Sequence, residues 1–415
     1  MNLSGVIKEY PISWEYRVTC HRGCTHVAAS VALHASLLMD VSGSNPRTVD
    51  LRSISHGQSV CTLCVTGSTL YHREDLPYRS PTLEDLANVF TPFRSKVESK
   101  CTVRRTVPTP KKGELPLPAG LDFDFTPTLA SLGLSAEDIA ALEKPHPHSV
   151  LDFKGGESVA LARLKYYLWD TDLVATYFDS RNGMLGGDYS TKLSSWLAHG
   201  CISPRTIYWE LKKYEKERKE NKSTYWVVFE LLWRDFYRFF CEKVGTDVFK
   251  LEGPEHMKQP WVNNPEMLQL WKDGNTGNPL VDANMRELKH TGFMSNRGRQ
   301  NVASYLALDL AFDWRYGADH FESLLLDHDV HSNWGNWVAA AGLTGGRVNK
   351  FNILKQGLDY DKDGAYVKTW CPELANVPAA KVHQPWTMTK QEQEKSGCII
   401  GQDYPVRIPL NGGGG

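Results

Sequence analysis

Several absences narrow what this chain can be. It has almost no net charge: 47 lysines and arginines are set against 48 aspartates and glutamates, for a formal −1. A global basic field is therefore excluded as a source of nucleic-acid affinity, and any such binding must come from a local patch with salt dependence as its signature. No run reaches the ~18 apolar residues of a membrane-spanning helix. The longest apolar stretch, 27–41, is interrupted by Ser30, His34 and Ser36 and reads as a buried helix rather than a targeting leader. A disulfide framework is absent too. Nine cysteines in 415 residues, odd in number and without dense spacing, point to a reducing intracellular compartment. There is no phosphate-binding P-loop and no Gly-x-Gly-x-x-Gly turn placed on a strand.

What is present falls into four stretches. Residues 1–106 carry scattered Cys, His and Arg, a strand-like pattern over 60–71, and a helix expected over 83–97 from Leu83, Leu86, Phe90, Phe93 and Val97. Residues 107–154 are rich in proline and read as an interdomain linker with one short helix, 135–142, capped by Ser135 with Asp138 three residues on. From Gly155 the periodicity turns helical, with helices expected over 157–170, 191–199, 204–218, 223–243, 281–290, 297–313 and 318–326. Residues 155–390 are thus an all-helical domain. Residues 391–415 end in four glycines and read as a flexible tail. The mixed charges of 212–222 read as a solvated helix end.

Four constellations carry chemistry. Between Tyr177 and Ser194, three glycines followed by Ser190, Thr191, Lys192, Leu193 and Ser194 precede a helix. Free amides and a lysine there suit a phosphate, although an ordinary capped turn gives the same pattern. Trp226, Glu230, Trp233 and Tyr237 fall on one helix stripe. A carboxylate inside an aromatic stripe needs a partner, which a ligand with donor groups would supply. Asn296, Arg297, Arg299 and Gln300 open another helix. Finally, Asp327-His328-Asp329-Val330-His331-Ser332-Asn333-Trp334-Gly335-Asn336-Trp337 puts acids, amides and indoles together, the mixture an electron-accepting heterocycle needs. Other readings exist. Asp327, His328, Asp329 and His331 could ligate a metal, but neighbouring residues point to different faces. Asp359-x-Asp361-x-Asp363-Gly364 opens like a calcium loop but has Trp370 where the closing glutamate belongs. Cys20/Cys24 and Cys61/Cys64 could hold zinc.

Together these segments resemble the flavin site of the photolyase/cryptochrome family, most closely its DASH branch, continuously from about Gly67 to about Leu374. The resemblance implies an α/β N-terminal domain followed by a large all-α FAD-binding domain. It assigns Tyr177, Ser190, Thr191, Lys192, Leu193, Ser194, Glu230, Arg299, Asp327, Asp329 and Asn333 to FAD, with Asn333 near the flavin N5 and Arg299 in a bidentate pair with Asp327. It assigns Glu230, Trp233, Arg234, Asn296, Arg297 and Gln300 to DNA, Arg297 facing a phosphate. Trp337, Trp314 and Trp261 match the family's electron relay, proximal to distal. The implied activity is blue-light repair of cyclobutane pyrimidine dimers in single-stranded DNA by a monomer, a photo-lyase reaction. The alternatives are a blue-light photoreceptor with little repair, or a helical nucleic-acid-binding module without cofactor. Chloroplast, mitochondrion and nucleus are the implied compartments. Two departures stand out. About 106 residues precede the linker, where the family's first domain needs roughly 150–200. Residues 1–106 therefore read as an incomplete α/β remnant, which argues against the 5,10-methenyltetrahydrofolate antenna. And Ala339 stands where the DASH pattern has an aromatic residue two positions after Trp337, removing one wall for a flipped base.

Overall fold

In a computed structural model the described residues are 69–109, 111, 128–142 and 144–410, with two paired two-residue strands, Ser13–Trp14 and Met39–Asp40. They fall in two compact units. The first, within 1–67 and 123–143, contains the strand pair and the helix Ala136–Leu142. That helix has the reciprocal cap its sequence suggests, with the Asp138 amide bonded to Ser135 Oγ and the Ser135 amide to Asp138 Oδ2. Of the expected α/β remnant, residues 1–106, only the strand pair and 69–106 are described; the rest of 1–68, with most of the apolar stretch 27–41 and both cysteine pairs, lies outside the described residues.

The second unit holds everything that follows. Its described residues form helices and turns, with only isolated bridges such as Val262 to Phe312. Its axis is the helix Lys222–Val244. Asn221 starts it with a full capping box to Thr224, and Gly245, at φ +57°, stops it. One face buries Val227, Val228, Leu231, Leu232, Phe236, Phe239 and Phe240, each worth roughly 1.5–3 kcal/mol when fully removed from water. Against it pack the helices Phe90–Lys100, Pro204–Glu217, Tyr177–Ser180 and Val330–Ala340. The last approaches closely because position 335 is glycine: a Cβ there would run into the Tyr237 ring. Val330–Ala340 packs in turn on Trp314–Leu324, where a Cβ on Gly317 would collide with the Trp337 indole.

Leu70 and Tyr71, at the start of this second unit, are pinned to its axis by a buried carboxylate. Asp235 accepts from the amides of Leu70 (2.9 Å) and Tyr71 (2.8 Å), and Arg205 Nε donates to the Leu70 carbonyl. Burial pushes the Asp235 carboxyl up to about 7. These amides are thus held by a side chain, and 69–71 is not the strand end its pattern suggested.

Three further expectations are corrected. The helix expected from Leu83 begins at Phe90, because Leu83 sits at φ +59° two residues after Pro81 and breaks the helical path. The helix expected over 297–313 is Asn296–Ser304, followed by a π-turn over Tyr305–Asp309, and Ala311 at φ +52° prevents continuation. The flexible tail is packed as far as 410. Thr389 and Glu392 cap the helix Lys390–Ser396, Cys398 and Tyr404 are buried, and the Tyr404 hydroxyl donates to Asp282. The glycine run that suggested mobility occupies only 412–415, and the residues before it carry apolar side chains.

Candidate functional site

A cavity of about 670 Å³ opens among these helices, within the range of small-molecule and cofactor sites. Three sequence-distant walls meet there. Tyr177, Arg181 and the segment 189–194 form one. The stripe Trp226, Glu230, Trp233 and Tyr237, with Arg234, forms the second. Ser295, Asn296, Arg299, Gln300, Asp327, Asp329, Ser332, Asn336 and Ala339 form the third. All four members of the stripe therefore reach one cavity, as their spacing requires.

The first wall is shaped from behind. Arg163, nearly buried, donates to the carbonyls of Gly187 (2.7 Å), Thr191 (3.0 Å) and Ser190 (3.1 Å) and to Asp188 Oδ1 (3.2 Å). This one guanidinium fixes the loop before the short helix Ser194–Ala198. Lys192, at φ +58°, folds inward. Its ammonium lies 2.9 Å from the Tyr189 ring centroid and 3.1 Å from Ser190 Oγ. Burial pulls its pKa down to about 6, against the attraction of Glu287. Glu287, itself buried, is pushed up to about 8 and accepts from the Tyr366 hydroxyl. The lysine is an amine that a bound anion would charge, since a nearby negative group favours the ammonium form.

On the second wall, Glu230 has a protein partner. The Tyr177 hydroxyl donates to Glu230 Oε2, and burial raises both groups above their ordinary values. Tyr177 is thus tied to the stripe as well as standing beside the 190–194 loop. Trp233 lines the cavity, but one of its faces is covered. Phe90, from the helix Phe90–Lys100, stacks on it at 3.8 Å between centroids and 8° between planes.

The third wall holds the acids. Arg299 Nη2 donates to Asp327 Oδ2 (2.9 Å) while Arg299 Nε is bound to the Met294 carbonyl (2.9 Å). The pair is therefore single-bonded, not bidentate, because the backbone carbonyl holds the other edge of the guanidinium. Asp327 Oδ1 is left buried with no partner. Asp329 caps the helix Val330–Ala340 through the Ser332 amide (2.8 Å). Burial would raise its carboxyl, but His331, Arg234 and the Ser332 bonds outweigh burial and hold it well below the ordinary range.

Two residues fall elsewhere than expected. The Asn333 amide donates to the Ala318 carbonyl (3.0 Å) and does not line the cavity; Asn336, not singled out from sequence, does. The Asn333 side chain points to the neighbouring helix Trp314–Leu324, which carries Ala318. Arg297 is likewise off the cavity wall. It donates to Asn182 (2.8 Å), Gln300 and Gln356 (both 3.2 Å), and its guanidinium lies 4.5 Å from the Tyr360 ring centroid. Burial lowers its pKa, and its three side-chain partners are neutral amides. Phe90, Arg181 and Arg347 also line the cavity, and none was marked from sequence as a site residue.

Behind the third wall lie the indoles. Trp337 and Trp314 are buried. Trp337 meets Phe321 at 5.1 Å and Trp271 at 6.2 Å, both edge-on. Trp314 meets Trp334 at 5.8 Å and 78°. Trp261 is partly exposed, with its Nε1 buried and unbonded. Trp271 and Trp334 were not expected members of this set. No group of three or more His, Cys, Asp or Glu side chains among the described residues is placed to hold a metal ion. No helix among them is long and apolar enough to cross a membrane.

The fit to a flavin nucleotide rests on atoms without partners. Asp327 Oδ1, Tyr189 Oη and Arg181 Nε are buried, unbonded, and belong to residues lining the cavity. Buried polar groups are rarely left so, and a ligand carrying both donors and acceptors satisfies them. Comparison with known proteins agrees. Residues 226–409 match the sequence model described as the FAD binding domain of DNA photolyase. The chain is 55% identical over 353 residues to the chloroplastic/mitochondrial cryptochrome DASH of Ostreococcus tauri, covering 83% of this chain and 64% of that protein. It is 48% identical to the cryptochrome DASH of Synechocystis sp., covering 82% of this chain and 68% of that one. The crystal structure of a Synechocystis cryptochrome superposes with a TM-score of 0.74 at 46% identity, over 83% of this chain and 69% of that one. This chain thus spans a little under two thirds of the length of the Ostreococcus protein. By these measures it belongs to the DASH cryptochromes of the photolyase/cryptochrome family and carries that family's FAD-binding domain.

Proposed function

We propose that this protein holds FAD in the 670 Å³ cavity and uses blue light for single-electron chemistry, with cyclobutane pyrimidine dimers in single-stranded DNA as substrate. The unpartnered Oδ1 of Asp327 beside Arg299, on a cavity wall backed by indoles, carries the reading. FAD, when bound, supplies light absorption and the transferable electron. The chain's residues do the rest. Lys192 and the 190–194 loop meet the pyrophosphate. Asp327 would accept from a ring donor, and Trp337, on the helix behind the third wall, would supply the first indole of the relay. Asp329 would face the cofactor while capping its helix. Glu230, Trp233, Arg234, Asn296 and Gln300 would shape the substrate side, and Arg297, half-buried among neutral amides, would meet a backbone phosphate. The dimer must leave the base stack to enter such a cavity, and that cost is least from a single strand.

A second reading, a photoreceptor with little repair, draws on two observations. Phe90 covers one face of Trp233, and Ala339 offers no ring. Losing one base-stacking ring weakens binding by roughly 1–3 kcal/mol. The protein acts as a monomer in a reducing intracellular compartment, consistent with free Cys101, Cys201, Cys241, Cys371 and Cys398. The test is an absorption spectrum of the purified protein before and after blue illumination, then dimer loss from ultraviolet-damaged oligonucleotides. A yellow protein that bleaches and clears dimers is the expected result. Bleaching without dimer loss selects the photoreceptor, and a correctly folded chain that stays colourless with excess FAD ends both readings.

A further inference from the structure

The relay read from the sequence ends at Trp261, yet the surroundings of Trp261 suit a terminal electron donor poorly. A hole that comes to rest on an indole is a radical cation whose N–H becomes strongly acidic. It is trapped when that proton leaves, because return then requires a proton as well as an electron. Trp261 Nε1 is buried with no acceptor, so its proton has no route into the protein. Trp334 offers the opposite arrangement. Its ring lies edge-on to Trp314 at 5.8 Å, and its Nε1–H donates to Glu322 Oε2 at 2.8 Å. The indole is buried against Phe249, while the Glu322 side chain retains 35% of its surface in water, so a proton placed there can leave. His328 Nε2, 3.9 Å from the same carboxylate oxygen, extends the chain of proton-binding groups back toward Asp327 and Asp329.

We infer that Trp334 is the terminal electron donor of this chain's indole relay and that Glu322 takes its indole proton. The inference rests on the flavin reading above. The oxidant is photoexcited oxidised flavin, which keeps one electron taken from Trp337. The hole passes to Trp314 and then to Trp334 as one electron moves the other way at each step. The Trp334 N–H bond then breaks heterolytically, its electron pair stays on nitrogen, and the proton joins Glu322 Oε2. The products are a neutral Trp334 radical and a protonated Glu322. Trp314 and Trp337 are restored, and charge balances.

Transient absorption after a blue flash on the FAD-loaded full chain reads this directly. Trp334→Phe shortens the life of the tryptophan radical by roughly tenfold, whereas Trp261→Phe leaves it within about twofold. Glu322→Gln, at a partly exposed position that tolerates the change, still forms the radical but holds it in the cationic spectrum. In apoprotein, the near-ultraviolet circular dichroism couplet from the Trp314–Trp334 pair vanishes in Trp334→Phe, an observable independent of flavin and of activity. An unchanged lifetime in Trp334→Phe with a shortened one in Trp261→Phe overturns the assignment, as does a neutral radical in Glu322→Gln. Trp337→Phe separates the layers. If it leaves photoreduction intact, the flavin reading fails and takes this inference with it. If it abolishes photoreduction while Trp334→Phe does nothing, only the terminal assignment falls.

Discussion

Two aspartate clusters in this protein read alike and end differently. Asp327-His328-Asp329 and Asp359-Tyr360-Asp361-Lys362-Asp363 both space acids one residue apart, and each suggests a bound cation on spacing alone. In the second cluster two of the three acids are engaged by the fold, and the third, Asp363, is exposed. Asp361 accepts from the amides of Tyr366 (2.8 Å) and Val367 (3.0 Å), starting the helix Ala365–Trp370, and Asp359 pairs with Lys355. In the first, Asp329 is committed to its helix cap, but Asp327 gives only one oxygen to Arg299 and keeps the other buried and unbonded beside a cavity. Spacing brings carboxylates together; what distinguishes a binding site from a cap is whether lone pairs remain after the backbone has taken its share. Sequence does not display that remainder, because the competing amides come from contacts it does not specify.

The comparison breaks most visibly at Asp327. Asp327→Ala leaves Arg299 without its carboxylate, at a cost of about 3 kcal/mol for a buried pair, reduced because the Arg299 side chain is 26% exposed. It also removes the free acceptor, so the protein is expected to come off a sizing column colourless after incubation with FAD. Retained flavin at the parent ratio would show that Asp327 is only structural. Asp361→Ala is the converse. Two amides buried in the core lose their acceptor, which costs about 2–4 kcal/mol. Thermal unfolding should shift down while the flavin-to-protein ratio of the folded fraction stays at the parent value. If Asp361→Ala lost colour at full stability, the two clusters would be functionally equivalent and the distinction would collapse.

Much of this site was legible because helical periodicity is a local property. Trp226, Glu230, Trp233 and Tyr237 had to share a face once 223–243 was read as a helix, and they do share the cavity. The capping signal of Ser135 was equally local and equally readable. The helix Val330–Ala340 was harder to see. Its cap is Asp329, an acid that looked like a ligand, so one residue's chemistry masked its structural part. What was illegible depends on partners far along the chain. Phe90 covers Trp233 across more than a hundred residues, Arg163 laces a loop about 25 residues away, and Asn333 turns toward Ala318 on another helix. No periodicity encodes such choices; they follow from which buried acceptor happens to be nearest.

The same distinction between committed and uncommitted groups applies to cations, with a smaller expected effect. Arg163 has every edge bonded to the loop it shapes, whereas Lys192 has Ser190 Oγ and the rings of Tyr189 and Phe293. Burial keeps Lys192 neutral above about pH 6, against Glu287 and Asp188, which favour its charge, and with Arg163 and Arg299, which oppose it. A bound pyrophosphate favours the ammonium form, so the pKa in the complex exceeds that of the free protein. The sign follows: between the two values binding takes up a proton, and affinity is greatest below about pH 6 and falls as pH rises through the window above it. The slope has an upper limit of one proton, or about 1.4 kcal/mol per pH unit. Glu287, pushed up to about 8 by burial, acts in the same direction, since an anion nearby makes it hold its proton more firmly. Titration calorimetry with FAD at pH 8, in buffers of different ionisation enthalpy, should report uptake of roughly half to one proton. Lys192→Met should reduce it to the small remainder from Glu287. Equal uptake in the variant would mean that the lysine is a filler of the wall, and that the anion is met by backbone amides alone.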